Sequence, residues 1–584
     1  MNSTEATVSA EQFRRAFVLD PNPWPGSSAD RALLQLGMPH AHGLSLWLAP
    51  ERGGALQPTI ALPGQPAAQT QLVKLGASGV MRADISGLSP GTTYEVAVRL
   101  SPQAPTRIVR ASTAPAASNE PFSFLAASCF SPFAARQTLS DSLLELRVPK
   151  LNGFEFPGPF VAERTAHVLE LLEQRALAPA PLRPSFFLGL GDQIYVDTGA
   201  RIGQSMLAGA RSDRQRYAPG ELREFYETVY RATFSLEPFA AALAALPSAL
   251  MWDDHEIRDG WGSQGDENAH GGDWRPHLQA ARDYYVAWQG ARNPPRAPNG
   301  GTLGEYRGLM QVGPDLTRSR ELDFRFDWGS QATFFVMDLR SYRNSSENRV
   351  VSEEQLLRLE QWLGSRRADV PTVFVLGSPL PLCQAPRLFD RFQERYVPSR
   401  RDDMTDAWWS PPLSQQHLRV LGTLRQHFSA HPLHRLVILS GDVHFSELLE
   451  LTDEQGRVFG HEIISSGLSQ TFFKILRTTT QKDSQLPGGV RARGIGRFHG
   501  PAFAEVFVTP DERAVRPPRV DVTFHASVTA SGATLANVHG PSAKRLELPL
   551  SRLPVSLFRL SSLFDRFIEP DLHGRDPTAV AQPR

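Results

Sequence analysis

The chain has 584 residues, 41% apolar and 21% charged; both fractions lie near the globular norm, which excludes wholesale disorder, and the length predicts two or more domains. Lys plus Arg (61) balance Asp plus Glu (61), so no overall field draws nucleic acid or an acidic membrane. No apolar stretch reaches the roughly 18 to 20 residues needed to span a bilayer, and two cysteines, Cys129 and Cys383, are too few for a disulfide framework.

Residues 1–35 show no sustained period and are read as an N-terminal arm. Met1 to Pro25 lack an apolar signal core, so the sequence as written reads as cytoplasmic; a chain trimmed of its signal would read the same and be periplasmic or secreted. Further on, Leu44, Leu46 and Leu48 alternate with other residues, as do Tyr94, Val96, Val98 and Leu100, the period of half-buried strands. The turn from Gly87 to Thr93 feeds a strand that starts with Tyr94, like the corner of fibronectin type III domains, where the Tyr hydroxyl ties the turn back to backbone. A small fibronectin-III-like β-sandwich is expected over residues 36–115, with Ala111 to Ser118 as a linker.

From residue 120 to about 550 strands alternate with helices, which predicts an α/β layered domain. Helices are expected over Glu163 to Leu177 and Glu353 to Ser365. The second opens on Ser352-Glu353-Glu354-Gln355, a capping-box spacing in which the Ser and Gln side chains satisfy orphan amides. Ala332 to Asp338 and Thr372 to Leu376 read as strands. Residues 292–320, rich in Pro and Gly, read as a surface insertion, and 384–412 combine basic residues with Asp402, Asp403, Asp406, Trp408 and Trp409. Within 551–584, Leu553 to Ile568 is amphipathic at helical spacing, a helix that packs on the body or covers the site.

Three apolar runs end abruptly in chemistry. Phe186 to Leu190 leads into Gly191-Asp192-Gln193-Ile194-Tyr195, Ser248 to Trp252 into Asp253-Asp254-His255-Glu256, and Leu436 to Ser440 into Gly441-Asp442-Val443-His444. Runs of this kind are strands buried on both faces, and open α/β sheets bind ligands at the strands' carboxyl ends. Cys129 follows a fourth run, Phe122 to Ala127. Asp192 and Tyr195, three positions apart, face one point if the chain turns helically there. A carboxylate, a phenolate, a thiolate and an imidazole suit a trivalent or redox-capable iron better than magnesium. Asp254 and Asp442, with Asp192 as a bridge, supply oxygen alone, which favours calcium, magnesium or manganese. Helix capping by Asp and burial of Cys as a plain hydrophobe are the ordinary alternatives. Three such caps, each beside a His or Tyr, make the less economical account.

These motifs, in this order, resemble the alkaline phosphatase D family of calcineurin-like metallophosphoesterases over residues 120 to about 510; the preceding sandwich is also typical of that family. The resemblance implies a layered phosphoesterase domain with central β-sheets flanked by helices. It implies that Cys129, Asp192, Tyr195 and His444 hold Fe3+, that Asp192, Asp254 and Asp442 hold Ca2+ in preference to Mn2+ or Mg2+, and that His255, beside Asp254, stabilises the transition state or protonates the leaving oxygen. Where many calcineurin-like enzymes present a metal-binding His, this chain has Ser378, which weakens the case for Zn2+. Arg258, Arg340 and Arg343 are candidates to grip phosphate oxygens. The activity implied is hydrolysis of a small phosphoester, monoester or diester, with no specific nucleic-acid partner; the oligomeric state is left open. A nuclease on the same scaffold is one alternative, and an adhesion module with degenerate motifs another.

Overall fold

The structure, a computed structural model, describes residues 31–76, 78–117, 120–130, 158–196, 219–263, 271–295, 301–384, 406–410, 413–469, 484–498, 501–526 and 531–534. Most of the expected arm, the expected C-terminal helix and most of the 384–412 insertion lie outside these residues. Among the described residues no helix is long and apolar enough to cross a membrane.

The N-terminal strands are β1 (Leu33–His40), β2 (Gly43–Ala49), β3 (Thr59–Ala61), β4 (Gln69–Leu75), β5 (Val80–Ser86), β6 (Thr93–Arg99) and β7 (Arg107–Ser112). The three-stranded sheet β3-β6-β7 packs on β4-β5-β2-β1, and the alternating residues Leu44, Leu46, Leu48, Tyr94, Val96 and Val98 all enter the core between them. The expected corner is present: the Tyr94 hydroxyl accepts from the Ser89 N–H at 2.9 Å. The sandwich is not a separate bead, however. Its β1 pairs in parallel with β10 (Ser248–Met251), at Gly37 opposite Ser248, so one face of the sandwich continues the catalytic sheet. Buried polar contacts cross the same seam. Trp47 donates to the Ala287 carbonyl at 2.8 Å, Arg292 donates to Gln35 Oε1, and the Arg292 guanidinium lies 3.9 Å from the Trp47 ring centre.

The larger sheet runs β21 (Ser531–Thr534), β20 (Arg519–Ala526), β19 (Ala502–Thr509), β8 (Phe122–Ala127), β9 (Phe187–Leu190), β10, then β1-β2-β5-β4. The second sheet runs β11 (Phe324–Trp328), β12 (Ala332–Val336), β13 (Thr372–Ser378), β14 (His434–Ser440), β16 (Val458–Ser465), β15 (Ser446–Thr452), β18 (Val490–Phe498), β17 (Ser484–Leu486). In both, the strands that end in motifs are parallel: β8, β9 and β10 in one, β13 and β14 in the other. Strand alternation sorts their side chains into two cores. Phe334, Val373, Val375, Val437 and Leu439 face the first sheet, where Phe124 and Phe186 stack at 5.0 Å and meet the Phe334 ring edge-on. Their neighbours Phe335, Phe374, Leu376, Leu436 and Ile438 face outward, against α6 (Glu353–Leu363) and α7 (Ser414–Ala430). Helices α1 (Gly158–Ala176), α2 (Pro219–Phe234), α3 (Glu237–Ala245) and α4 (Gly271–Trp288) contribute buried residues to the first core. The expected α/β layering, sheets inside and helices outside, is what the chain adopts.

Two local expectations change. The Pro- and Gly-rich stretch 292–320 contains α5 (Leu303–Met310), started by Thr302, whose hydroxyl accepts from the Glu305 N–H, and seated by buried Tyr306 and Leu309. At α6, Ser352 caps as expected by accepting from the Gln355 N–H at 3.0 Å, but Gln355 does not reach back. Its buried amide is engaged in the core instead, accepting from the Asp338 N–H and donating to Glu321 and the Asp338 carbonyl.

Candidate metal centre

The strand ends of the two sheets meet closely. A Cβ on Gly441 would stand 2.6 Å from the Leu190 carbonyl and from Ser128 Oγ, and one on Gly191 would stand 2.6 Å from Asp253 Cβ. Gly191 also has φ +94°, so a side chain is barred there by backbone conformation as well as by space. Just past these ends the chain turns sharply. Cys129 (φ 57°), Asp192 (φ 56°), Asp442 (φ 65°) and His444 (φ 57°) are all left-handed, a conformation rare for residues with a Cβ. Backbone strain of this kind, of order 1 kcal/mol or more per residue, persists where surrounding structure enforces it, characteristically at functional sites.

The turns bring the expected residues together. Cys129, Asp192 and His444 offer donor atoms within 4.8 Å of one another, and so do Asp192, Asp253, Asp254 and Asp442. The Tyr195 hydroxyl lies 3.2 Å from Asp192 Oδ2 and 3.1 Å from His444 Nε2. Asp192 and Tyr195 meet through the left-handed Asp192, not through the helical turn that their spacing implied. Ser466 secures the other side, its hydroxyl 3.1 Å from Cys129 Sγ and accepting from the His444 N–H at 2.7 Å. Asp254 accepts from the Gly260 N–H at 2.7 Å. His255 stacks on the Tyr195 ring at 4.1 Å, and its N–H points at Asp254 Oδ1, 3.1 Å away. It also forms a third donor group with Asp192 and Asp254.

Charge explains what this pocket wants. Burial, then the neighbouring carboxylates, push the Cys129 thiol, the Tyr195 phenol and the Asp442 carboxyl well above their usual ranges, and burial does the same to Asp192. Asp253, missed as a candidate in the sequence, is pushed up to about 7 by burial, although Arg340 pulls it down. Arg340 pairs with Asp253, Asp254 and Asp406, and Arg343 with Asp406, whereas the carboxylates of Asp254, Asp253 and Glu256 crowd Asp192. Carboxyl groups packed this closely repel one another when ionised, a cost that cations would remove, and a cation would reverse each of these upward shifts. Asp253 Oδ2, buried and without a hydrogen-bond partner, fits the same reading. The donor set therefore fits metal ions.

Arg340 and Arg343 are not phosphate grips. Both are fully buried: Arg340 donates to Asp253 Oδ1 and, at 2.6 and 2.8 Å, to both oxygens of Asp406, and Arg343 donates to Ser263 Oγ at 3.0 Å. They brace the acidic cluster from behind, with the 384–412 insertion supplying Asp406. Trp408, from the same insertion, is core, packed near His417. Arg258 is buried too, over the Trp274 ring at 4.7 Å. Ser378 points its hydroxyl at the Leu380 carbonyl. Cys383 and Cys129 are both free and buried.

A family model described as PhoD-like phosphatase matches residues 173–493, more than half of the chain. The chain belongs to the PhoD-like phosphatase family. Its chemistry is accordingly phosphoester hydrolysis. The matched span holds every PhoD-like motif residue above except Cys129, whose place here rests on geometry alone. A solved structure described as the structure of PhoD is similar at a TM-score of 0.55 and 15% identity, covering 93% of this chain and 98% of that one, a likeness of fold. No curated protein matches the chain in sequence.

Two buried glutamates hold the PhoD-like strand ends in register, and sequence reasoning assigned neither a role. Glu256 accepts from the N–H groups of Asp192 (3.0 Å), Gln193 (2.7 Å) and Asp253 (2.8 Å) and from the Gln289 amide (2.9 Å). Glu462, on β16, accepts from the N–H groups of Leu382 (2.7 Å) and Cys383 (2.8 Å) and from the Ser440 hydroxyl. The only sequence signal for Glu256 was its position beside His255. Glu256→Gln replaces an acceptor oxygen with a donor facing those N–H groups. Stability to urea should fall by about 1–3 kcal/mol and metal affinity by about 10–100-fold, read by urea unfolding and metal titration. Unchanged metal affinity would show that the clamp has no bearing on the centre.

Proposed function

We propose that this protein hydrolyses small phosphomonoesters or diesters at a centre where Cys129, Asp192, Tyr195 and His444 hold ferric iron and Asp192, Asp254 and Asp442 hold calcium. The observation that carries the proposal is the convergence of two donor sets on Asp192, one with sulfur, nitrogen and phenol, the other with carboxylates only. Asp253 joins the second set. When bound, such cations supply charge neutralisation for the phosphoryl oxygens and activate water. The residues of the chain do the rest. Left-handed Asp192, Asp442 and His444 fix donor directions before substrate arrives. Arg340 holds Asp253 and Asp406 in place, so the acidic cluster does not reorganise as charge moves. His255, held flat on Tyr195, protonates the leaving oxygen or stabilises developing charge beside it.

Metal analysis of purified protein, followed by paired assays on aryl phosphate monoesters and diesters, tests this reading. A phenolate or thiolate on ferric iron gives a visible charge-transfer band, so the protein should be coloured. Tyr195→Phe should shift or abolish a tyrosinate band and Cys129→Ser should test the thiolate, while chelation should remove activity before colour. Colourless, fully active protein holding only zinc or magnesium would sink the iron assignment; inactivity on both ester classes with metals restored would sink the hydrolase.

A further inference from the structure

Three histidines gather at the opposite edge of the second sheet, at the far end of β14 from Asp442 and His444. His427 lies in the last turn of α7, His431 just past its end, and His434 opens β14. The rings stack, with centres 4.3 Å (His427 to His431), 5.1 Å (His431 to His434) and 5.2 Å (His427 to His434) apart. One ring nitrogen from each lies within 4.8 Å of the other two. Strand β14 connects this cluster to Asp442; its six residue steps of about 3.3 Å put the two ends about 20 Å apart.

Hydrogen bonding decides which nitrogens carry protons. Backbone carbonyls only accept, so His434 Nε2, 3.0 Å from the Arg367 carbonyl, carries a proton, and so does His431 Nδ1, 2.7 Å from the His427 carbonyl. In the neutral rings His434 Nδ1 and His431 Nε2 are then bare lone pairs. A ring with one N–H anchored on a backbone carbonyl and the other nitrogen bare is how metal-bound histidines are held. His427 Nε2 stands 3.0 Å from His434 Nδ1 and donates its proton there. Tetrahedral zinc at about 2.0–2.1 Å from each nitrogen sets two ligand nitrogens about 3.3 Å apart, close to this spacing, and a bidentate grip needs the two rings to turn so that both lone pairs meet the ion. His427 would then carry its proton on Nδ1, with no net proton gained or lost.

We infer that His427, His431 and His434 form a second metal site, for a zinc-like divalent transition ion, separate from the phosphoesterase centre. An all-imidazole set selects zinc, copper or nickel and disfavours calcium and magnesium, which take oxygen. The site lies at the C-terminal end of α7, where the helix dipole favours positive charge. Burial and the adjacent imidazoles also keep His427 unprotonated at neutral pH, pushing it down to about 4.

The test uses the holoenzyme with its catalytic centre filled. Titration with zinc chloride should load one further equivalent per chain and raise the melting temperature, and cobalt(II) at the same site should give visible ligand-field bands. His431→Asn, at a helix-end position that tolerates Asn, should lose that equivalent, the thermal shift and the bands while keeping full phosphoester hydrolysis. His427→Gln serves the same purpose if His431→Asn fails to fold. No further equivalent in the parent protein, or the same equivalent in both variants, overturns the inference. Because hydrolysis is read separately, neither outcome bears on the proposed activity.

Discussion

Asp192→Ala should release metal and abolish turnover together. Asp192 belongs to both donor sets, accepts from Tyr195 at 3.2 Å and stands 3.5 Å from Cys129 Sγ, so its loss opens both sites at once. Disturbing a residue that only supports a ligand costs about 10–100-fold in affinity or activity; removing the shared carboxylate should exceed that range. Fold stability of the metal-free protein should not suffer. Burial already holds this carboxyl well above its usual pKa, so without a cation it is a cost to the folded state. Metal content by mass spectrometry and unfolding in chelator read the two effects separately. Retained metal with lost turnover would show that Asp192 acts without binding the ions.

His255→Ala should do the reverse, keeping metal and losing rate by about 10²–10⁴-fold, the usual contribution of a general acid or base. The variant preserves the backbone N–H that lies 3.1 Å from Asp254 Oδ1, so the acidic cluster keeps its order. If the ring donates a proton, the loss should be larger for an alkyl than for a nitrophenyl leaving group, because only the first needs protonating. An equal loss for both would point to charge stabilisation instead. Loss of metal would make His255 a ligand, in keeping with its nearness to Asp192 and Asp254, and parent-level activity would remove it from the mechanism.

The strand ends were legible in the sequence because a run apolar on every residue has few other readings, and β9, β10 and β14 lie where the apolar runs do. Cys129 was legible by analogy of position alone. What was hidden depends on partners far along the chain. Arg340 and Arg343 read as candidates to grip phosphate until Asp406, more than sixty positions away, is seen to hold both in the interior. Asp253 and Asp254 look equivalent in the sequence. Arg340 distinguishes them by pairing closely with Asp253 and standing 3.4 Å from Asp254. The left-handed turns left no trace either, since Asp and His enter that conformation only occasionally and Cys seldom, too weak a preference to read from a sequence. Strand alternation announced the sandwich but not its fusion with the catalytic sheet, which is made by the parallel pairing of Gly37 with Ser248 and by the buried contacts of Trp47 and Arg292 across the seam.

That pairing limits how freely the two parts are exchanged. A phosphoesterase stripped of its first 115 residues would leave β10, the strand that ends in Asp253 and Asp254, as the last strand of its sheet, covered at Leu250 by Asn293 and Tyr285 but open at Ser248, with Arg292 stranded beside it. Open strand edges recruit other chains, so the isolated catalytic part should be more prone to self-association at the Ser248 end of this strand. Separating the two halves at this seam would therefore disturb the strand that carries Asp253 and Asp254 as well as the sandwich.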